Sequence, residues 1–202
     1  MIKAIVLDLG GVLLRTEDQT ARRALEIKYN IPHGEVHDLV FNSPMAFSAT
    51  LGEVDSQAVW DHVSDELHLS PKSLESFQQA FWAGDQINQE LFSFLESRRY
   101  DYITAILSNA WGDARSTLAE KFNIIQGEVV EYILISAELG VAKPDPKIYQ
   151  ILSKTIDCDY HQILFIDDFY ENIVAANRLG IQTIHYQQGL NVIEKIKEFL
   201  DN

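Results

Sequence analysis

Asp8 stands where an apolar run ends, in Ile5-Val6-Leu7-Asp8-Leu9-Gly10-Gly11-Val12. Ala4 to Leu7 reads as a fully buried strand: short, apolar, partly β-branched and cut off by the glycine pair. A strand of this kind belongs in the middle of an α/β sheet. A carboxylate at its carboxyl end points into the crevice where such folds bind ligands. Gly10 and Gly11 let the backbone turn back sharply and aim N–H groups inward, which suits an anionic oxygen such as one of a phosphate.

Further strand-like runs follow at Tyr102 to Leu107, Tyr132 to Ile135, Ile163 to Ile166 and Gln182 to His185. Helical patterns lie between them. Asn88 to Arg99 places Leu91, Phe92 and Leu95 on one face, and Pro146 to Ile156 places Ile148, Ile151 and Leu152 likewise. Asn172 to Leu179 stops at Gly180, and Val192 to Leu200 is a last helix. This alternation predicts an α/β fold, a Rossmann-like parallel sheet with helices on both faces. One stretch breaks it. From Thr16 to Ala83 the periodicity is helical throughout, with helix starts at Asp55-Ser56 and Ser70-Pro71. The predicted organisation is therefore a core of residues 1–15 and 84–202, with a small α-helical cap inserted at 16–83. The aromatic residues Phe41, Phe47, Trp60, Phe77, Phe81 and Trp82 are expected to form the interior of that cap.

Charge narrows the partners. With 16 basic and 30 acidic residues the net charge is −14, which argues against nucleic acid or an anionic membrane. A phosphorylated metabolite is still accessible to an acidic protein, provided a metal and local amides reverse the field. No apolar stretch is long enough to span a bilayer, and the first residues carry no signal-peptide pattern. The single cysteine, Cys158, fits a reducing compartment, so a cytoplasmic location is expected.

Three more groups fall at strand ends. Ser108 and Asn109 end the second strand of the core, where a hydroxyl and an amide beside a helix start can hold an anionic oxygen. Lys143 lies in Gly140-Val141-Ala142-Lys143-Pro144-Asp145-Pro146, a loop from which a lysine can swing into the crevice as a point charge. Its loss is expected to cost activity far more than stability. Asp167 and Asp168 end Phe165-Ile166-Asp167-Asp168. Together with Asp8 they repel one another by about 4 kcal/mol per close pair at an effective dielectric near 20. Hard oxygen ligands in such a cluster are what Mg²⁺ prefers, and the alternative, Asp168 as a simple helix cap, explains less.

These four groups, in this order, resemble the haloacid dehalogenase superfamily of aspartate-nucleophile phosphotransferases over essentially the whole chain. The run Ala105-Ile106-Leu107-Ser108-Asn109-Ala110-Trp111-Gly112-Asp113-Ala114-Arg115 is similar to the N-terminal phosphatase domain of soluble epoxide hydrolases and its bacterial relatives. The resemblance implies a C1-type cap and a phosphatase acting on a small phosphorylated metabolite. It makes Asp8 the nucleophile that forms an aspartyl-phosphate, and Asp8, the Gly10 carbonyl and Asp168 the Mg²⁺ ligands, with Asp167 behind them or bridged by water. Ser108 and Asn109 would bind phosphoryl oxygens, and Lys143 would neutralise the charge shared by nucleophile and phosphate.

One position departs from the pattern. Most phosphatases of this family carry a second Asp two residues after the nucleophile, as general acid and base; here that residue is Gly10. A positioned acid/base is typically worth about 10²–10⁴ in rate, so hydrolysis should be slowed. A non-catalytic binding protein of the same fold is the rival reading. A dehalogenase does without Mg²⁺ and lacks an acidic pair like Asp167-Asp168, and nothing singles out Lys28 or Lys72 as the Schiff-base lysine of a phosphonate hydrolase. His33 and His37 stand four residues apart but do not form an H-E-x-x-H zinc motif, because Glu35 does not directly follow His33 and Gly34 weakens the helix. Arg15 follows the nucleophile loop, where it meets either a second anionic group of the substrate or a surface partner.

Overall fold

Every side chain of Ala4–Leu7 is buried, and the sheet is built outward from that strand. The structure is a computed structural model that describes residues 1–201. In chain order its strands are β1 (Ala4–Leu7), β2 (Leu14–Thr16), β3 (Asp85–Ile87), β4 (Ile103–Ser108), β5 (Tyr132–Ile135), β6 (Ile163–Asp167) and β7 (Gln182–His185). The helices are α1 (Thr20–Tyr29), α2 (Val36–Phe41), α3 (Pro44–Thr50), α4 (Ser56–Leu67), α5 (Pro71–Trp82), α6 (Gln89–Arg98), α7 (Ala114–Phe122), α8 (Ser136–Leu139), α9 (Pro146–Thr155), α10 (Tyr170–Arg178) and α11 (Val192–Leu200).

Five strands form one parallel sheet in the order β5–β4–β1–β6–β7. Side chains alternate between its two faces, as strand geometry requires. Ile5, Leu7, Ile106, Leu164 and Ile166 pack with Leu91 and Leu95 of α6, Leu118 of α7 and Ile196 of α11. Ala4, Val6, Ala105, Leu107 and Phe165 pack with Ile148 and Leu152 of α9 and with Ile173 and Ala176 of α10. Burying each of these large aliphatic side chains stabilises the fold by about 1.5–3 kcal/mol before entropy is counted. Cys158 belongs to the second layer as a buried free thiol. Among the described residues no helix is long and apolar enough to cross a membrane.

The alternation also aims the site. Leu7 and Ile166 face one layer, so Asp8 and Asp167, one residue on, both project toward the other, the layer of α9. The register that pairs Leu7 with Ile106 and Ile166 sets Asp8 level with Leu107 and Asp167.

Between β2 and β3 the chain makes the five helices α1–α5. The two strands pair antiparallel as a short ribbon at the base of this insert. A three-residue strand with no apolar alternation carries no readable signal, and the ribbon is an element that sequence periodicity does not predict. The helix starts are as expected. Asp55 accepts from the Ala58 N–H at 3.0 Å and Ser70 from the Ser73 N–H at 3.3 Å, with Pro71 in the first turn. The insert has its own interior of Phe41, Trp60, Phe77, Phe81 and Trp82. Phe47 is a correction to the expected set, since it stands 60% exposed on α3. Its neighbours Ala46 and Ala49 are the buried positions of that helix, so Phe47 lies on the helix's outer side.

Candidate active site

Lys143 is the centre of the site. Its Nζ donates to Asp8 Oδ1 at 2.7 Å, to Asp167 Oδ2 at 2.7 Å and to the Leu107 carbonyl at 2.9 Å. Three acceptors use all three ammonium protons. The loop before α9 delivers it to the layer into which Asp8 and Asp167 project, and it lies 5.3 Å from the centre of the Phe165 ring. Lys143 is therefore a buried lysine, only 5% exposed, and not a loop side chain that swings in from solvent.

The two adjacent acids differ in what they have left to give. Both oxygens of Asp167 are occupied: Oδ1 accepts from the Phe169 N–H at 2.7 Å, Oδ2 from Lys143, and Asn172 Nδ2 donates to each at 3.0 Å. Asp168 Oδ1 is buried with no hydrogen-bond partner. A buried carboxylate oxygen left unpaired costs the full desolvation of that group, unless a ligand supplies the missing partner. Helix capping does not explain it, because α10 is preceded by Phe169 and has no side-chain cap. Asp8, Asp167 and Asp168 offer oxygens that all lie within 4.8 Å of one another. That donor set fits a hard divalent cation.

Electrostatics point the same way. Burial pushes the Asp8 carboxyl up from 3.8 to about 7, with Asp167 and Asp168 adding to the rise and Lys143 opposing it. Asp168 is raised as well, first by burial and then by Asp167. For Lys143, burial works against the charge, but the attraction of Asp8 and Asp167 outweighs it and the net direction is up. The folded Asp8 thus holds its proton more tightly than an unfolded Asp. Between about pH 4 and 7 the metal-free fold gains stability as pH falls, and it loses that stability as pH rises through 7. A cation at the cluster removes the repulsion that grows on ionisation. Mg²⁺ is accordingly expected to raise Tm more at pH 8 than at pH 5, as measured by thermal unfolding with and without the ion. Equal shifts at the two pH values would count against the cluster as the cation site.

The glycines behave differently from each other. Gly11 has φ +78°, and a Cβ there would collide with the Asp168 carboxylate, so this position requires glycine. Gly10 lies outside the left-handed region, and a Cβ would meet nothing within 4 Å. Ser108 is buried at the end of β4. Asn109 is engaged at both ends of its amide: Nδ2 donates to the Lys143 carbonyl and Oδ1 accepts the Lys143 N–H, each at 2.8 Å. In this structure the Asn109 side chain clamps the backbone of Lys143.

Asn172 escapes sequence reading. It is buried and holds both oxygens of Asp167, while its own carbonyl accepts from the Tyr149 hydroxyl at 2.9 Å. Its position one turn into the helix after Asp168 was the available signal. Arg15 bonds to the Tyr186 hydroxyl and pairs with Glu17, so it has protein partners of its own. His33 and His37 are exposed and belong to no metal cluster among the described residues. Lys28 lies over the Tyr29 ring at 4.8 Å, and Lys72 is exposed on α5.

Comparison with known proteins now adds to this geometry. The sequence model of a haloacid dehalogenase-like hydrolase matches residues 2–180. The bifunctional epoxide hydrolase 2 of Rattus norvegicus is 24% identical over 206 residues, covering 94% of this chain and 36% of its own length. The chain thus spans about a third of that relative. D-ribitol-5-phosphate phosphatase of Bacteroides thetaiotaomicron is 23% identical and is covered over 100% of both chains. Among solved structures, a HAD-family enzyme of Bacteroides thetaiotaomicron in complex with magnesium and inorganic phosphate superposes with a TM-score of 0.77 at 20% identity. It covers 95% of this chain and 97% of its own.

Proposed function

Because this chain belongs to the haloacid dehalogenase-like hydrolases, we propose that it is a Mg²⁺-dependent phosphatase of small phosphorylated metabolites, working through an aspartyl-phosphate on Asp8. One observation carries the reading. A buried ammonium joins the Asp8 and Asp167 carboxylates, while an adjacent buried oxygen of Asp168 has no partner. A structural ion pair needs no such orphan, whereas a cation site does.

In the first half of the reaction an Asp8 oxygen attacks phosphorus, the bond to the ester oxygen breaks, and the departing alcohol takes up a proton. In the second half water attacks the phosphorus of the aspartyl-phosphate, releasing phosphate and restoring Asp8. Lys143 holds Asp8 in place and offsets the charge gathered on nucleophile and phosphoryl group. Asp167, held by Asn172, fixes Lys143. A bound Mg²⁺, held by Asp8, Asp168 and the Gly10 carbonyl, would supply the remaining positive charge at the phosphoryl oxygens. Ser108 and the Gly10 N–H are the further donors to phosphate; the Gly11 N–H, expected to face the ligand, is held instead by the Leu14 carbonyl at 2.9 Å. Residues 16–83 act as the cap over this site and choose the substrate. The protein works in the cytoplasm, in keeping with its single free thiol.

Sugar and polyol phosphates are the first class to test, since the Bacteroides thetaiotaomicron relative is named for D-ribitol 5-phosphate. A panel of phosphorylated metabolites assayed with Mg²⁺ and with EDTA is the experiment. Turnover that requires the metal supports the proposal, and turnover undiminished in excess EDTA removes the metal from it.

Gly10 favours the second reading, a binding protein without turnover, and also supplies its test. Because nothing obstructs a side chain there, Gly10→Asp is expected to fold with a stability within about 0.5 kcal/mol of the parent. It is expected to accelerate breakdown of the phosphoenzyme by about tenfold or more, by restoring a carboxylate that activates water. Single-turnover kinetics measure that step. An unchanged dephosphorylation rate in a folded variant would show that another group already does the work.

A further inference from the structure

The loop that follows β4 is held from two sides. On the site side, Asn109 clamps the Lys143 backbone through both ends of its amide. On the other side, the next residues are tied to the helical insert. The Ala110 N–H donates to the Ser136 hydroxyl at 3.0 Å, and the same hydroxyl donates to the Thr50 carbonyl at the end of α3 at 2.7 Å. The Ser136 side chain that makes both bonds is buried. Trp111 is 7% exposed and belongs to the interior of the insert and not to either sheet layer. Its ring lies 5.4 Å from Phe41 and 5.9 Å from Trp60. Asp113 accepts from the Ser56 hydroxyl at the start of α4, at 2.8 Å. Beside these contacts, Gly52 packs so closely on the Ala137 carbonyl that a Cβ would not fit, and the insert has no slack at this junction.

We propose that Trp111, together with Ser136, is a positioning residue: it ties the loop after β4 to the docked insert, so that the placement of Lys143 against Asp8 depends on the insert. The inference rests on reading Asp8 and Lys143 as the reacting pair. Its physical basis is the shortness of the connection. One residue, Ala110, separates the amide that clamps Lys143 from the indole buried among the aromatic residues of the insert. A loop this short, bonded at Ala110 and anchored at Trp111, transmits a displacement instead of absorbing it. A misplacement on the order of 1 Å at a reacting group is enough to cost up to about 10²-fold in rate. The insert then completes the catalytic cluster as well as covering it, and it governs reactivity even toward a substrate too small to touch it.

The test pairs a kinetic probe with a readout that needs no activity. Acetyl phosphate is the probe, since its organic part is minimal. In Trp111→Ala the kcat for acetyl phosphate is expected to fall about tenfold with KM within about twofold, and Trp111→Phe is expected to restore it. Amide hydrogen exchange is followed in the same variants. In Trp111→Ala the Ala110 and Lys143 N–H groups are expected to exchange about tenfold faster, while the Asp8 N–H, bonded to the Ile166 carbonyl at 2.8 Å, keeps its protection. Ser136→Ala is the second variant, carrying the same comparison if Trp111→Ala does not fold. Unchanged protection at Lys143 overturns the proposal, and so does an equal rise at Lys143 and Asp8, which marks loss of stability alone. If the parent protein hydrolyses no acetyl phosphate, the kinetic comparison uses the smallest ester that the metabolite panel shows to turn over; if the panel shows none, the phosphatase reading fails, and the exchange data still decide whether the insert positions Lys143.

Discussion

Asp8→Asn is expected to abolish turnover on every substrate the parent accepts, with the protein still folded. The asparagine fills the same volume at the end of β1, and its carbonyl oxygen still accepts from Lys143 Nζ where Asp8 Oδ1 accepts at 2.7 Å. What it lacks is the charge and nucleophilicity of the carboxylate. Losses on removing a covalent nucleophile run to about 10⁶ in kcat, so the expected activity is background. Stability moves the other way above pH 7. Burial and the neighbouring acids hold Asp8 near a pKa of about 7, so at higher pH the folded state carries a strained negative charge that asparagine does not have. Thermal unfolding at pH 8 without metal should give a Tm at least equal to that of the parent. Turnover near the parental rate would remove Asp8 from the chemistry.

Lys143→Ala is expected to lose both activity and stability. As a loop residue at the surface, a lysine is worth within about 0.5 kcal/mol of nothing to the fold. That expectation does not survive the structure. Lys143 donates to three buried acceptors, and truncation strands Asp8 and Asp167 without their counter-charge. Breaking one side of a buried ion pair costs about 3–5 kcal/mol. Protonation of Asp8, which is already raised, recovers part of that as the pH falls, so the loss is larger at pH 8 than at pH 5. Activity is expected to fall further than stability accounts for, because in the proposed reaction the same ammonium offsets charge on the phosphoryl group. Chemical denaturation at the two pH values, with kcat/KM measured on the folded fraction, separates the effects. A variant with parental stability at both pH values would place Lys143 back on the surface.

The difference between these two residues shows what the chain discloses about itself. Asp8 is legible because strand, carboxylate and glycine turn are adjacent in sequence, and the period of a strand fixes which way Asp8 points. The parallel sheet is legible for the same reason, since four of its five strands are largely apolar runs cut off by turn residues or a helix start, and the polar exception, Gln182–His185, lies at the sheet edge. Lys143 is legible as a residue but not in its environment, which depends on a loop reaching acids 135 and 24 positions away. Asn109 shows the same limit, for its side chain could face substrate or backbone and only the fold decides. In the helical insert, α1 buries Arg22 and Glu26 beside Leu25, which no amphipathic pattern predicts. Arg22 is held by the Phe81 carbonyl at 2.9 Å and by Asp85 at 3.1 Å, so a long-range partner makes a polar position an interior one. The ribbon of β2 and β3 is hidden because three residues are too few to show a period.

The same distinction explains the roles of Asp167 and Asp168. As neighbours in sequence they are interchangeable on paper. In the fold one is saturated by Lys143, Asn172 and the Phe169 amide, and the other keeps a buried oxygen without a partner. Asp167→Asn is therefore expected to disturb Lys143, whereas Asp168→Asn is expected to weaken the proposed cation site. Calorimetric titration with Mg²⁺ should show affinity lost in the second variant and largely kept in the first.

The central claim, phosphate carried on Asp8, is tested most directly by mixing the Mg²⁺-loaded protein rapidly with an aryl phosphate and quenching in acid. An aryl leaving group needs little protonation, so phosphorylation is expected to be fast even though Gly10 offers no acid, and breakdown of the phosphoenzyme is expected to be slow. The account predicts an early burst of the phenol and acid-stable phosphate on the protein at Asp8, with both absent in Asp8→Asn and in excess EDTA. Phosphate mapped to another residue, or none on the protein at any quench time while phosphate esters turn over, would contradict it.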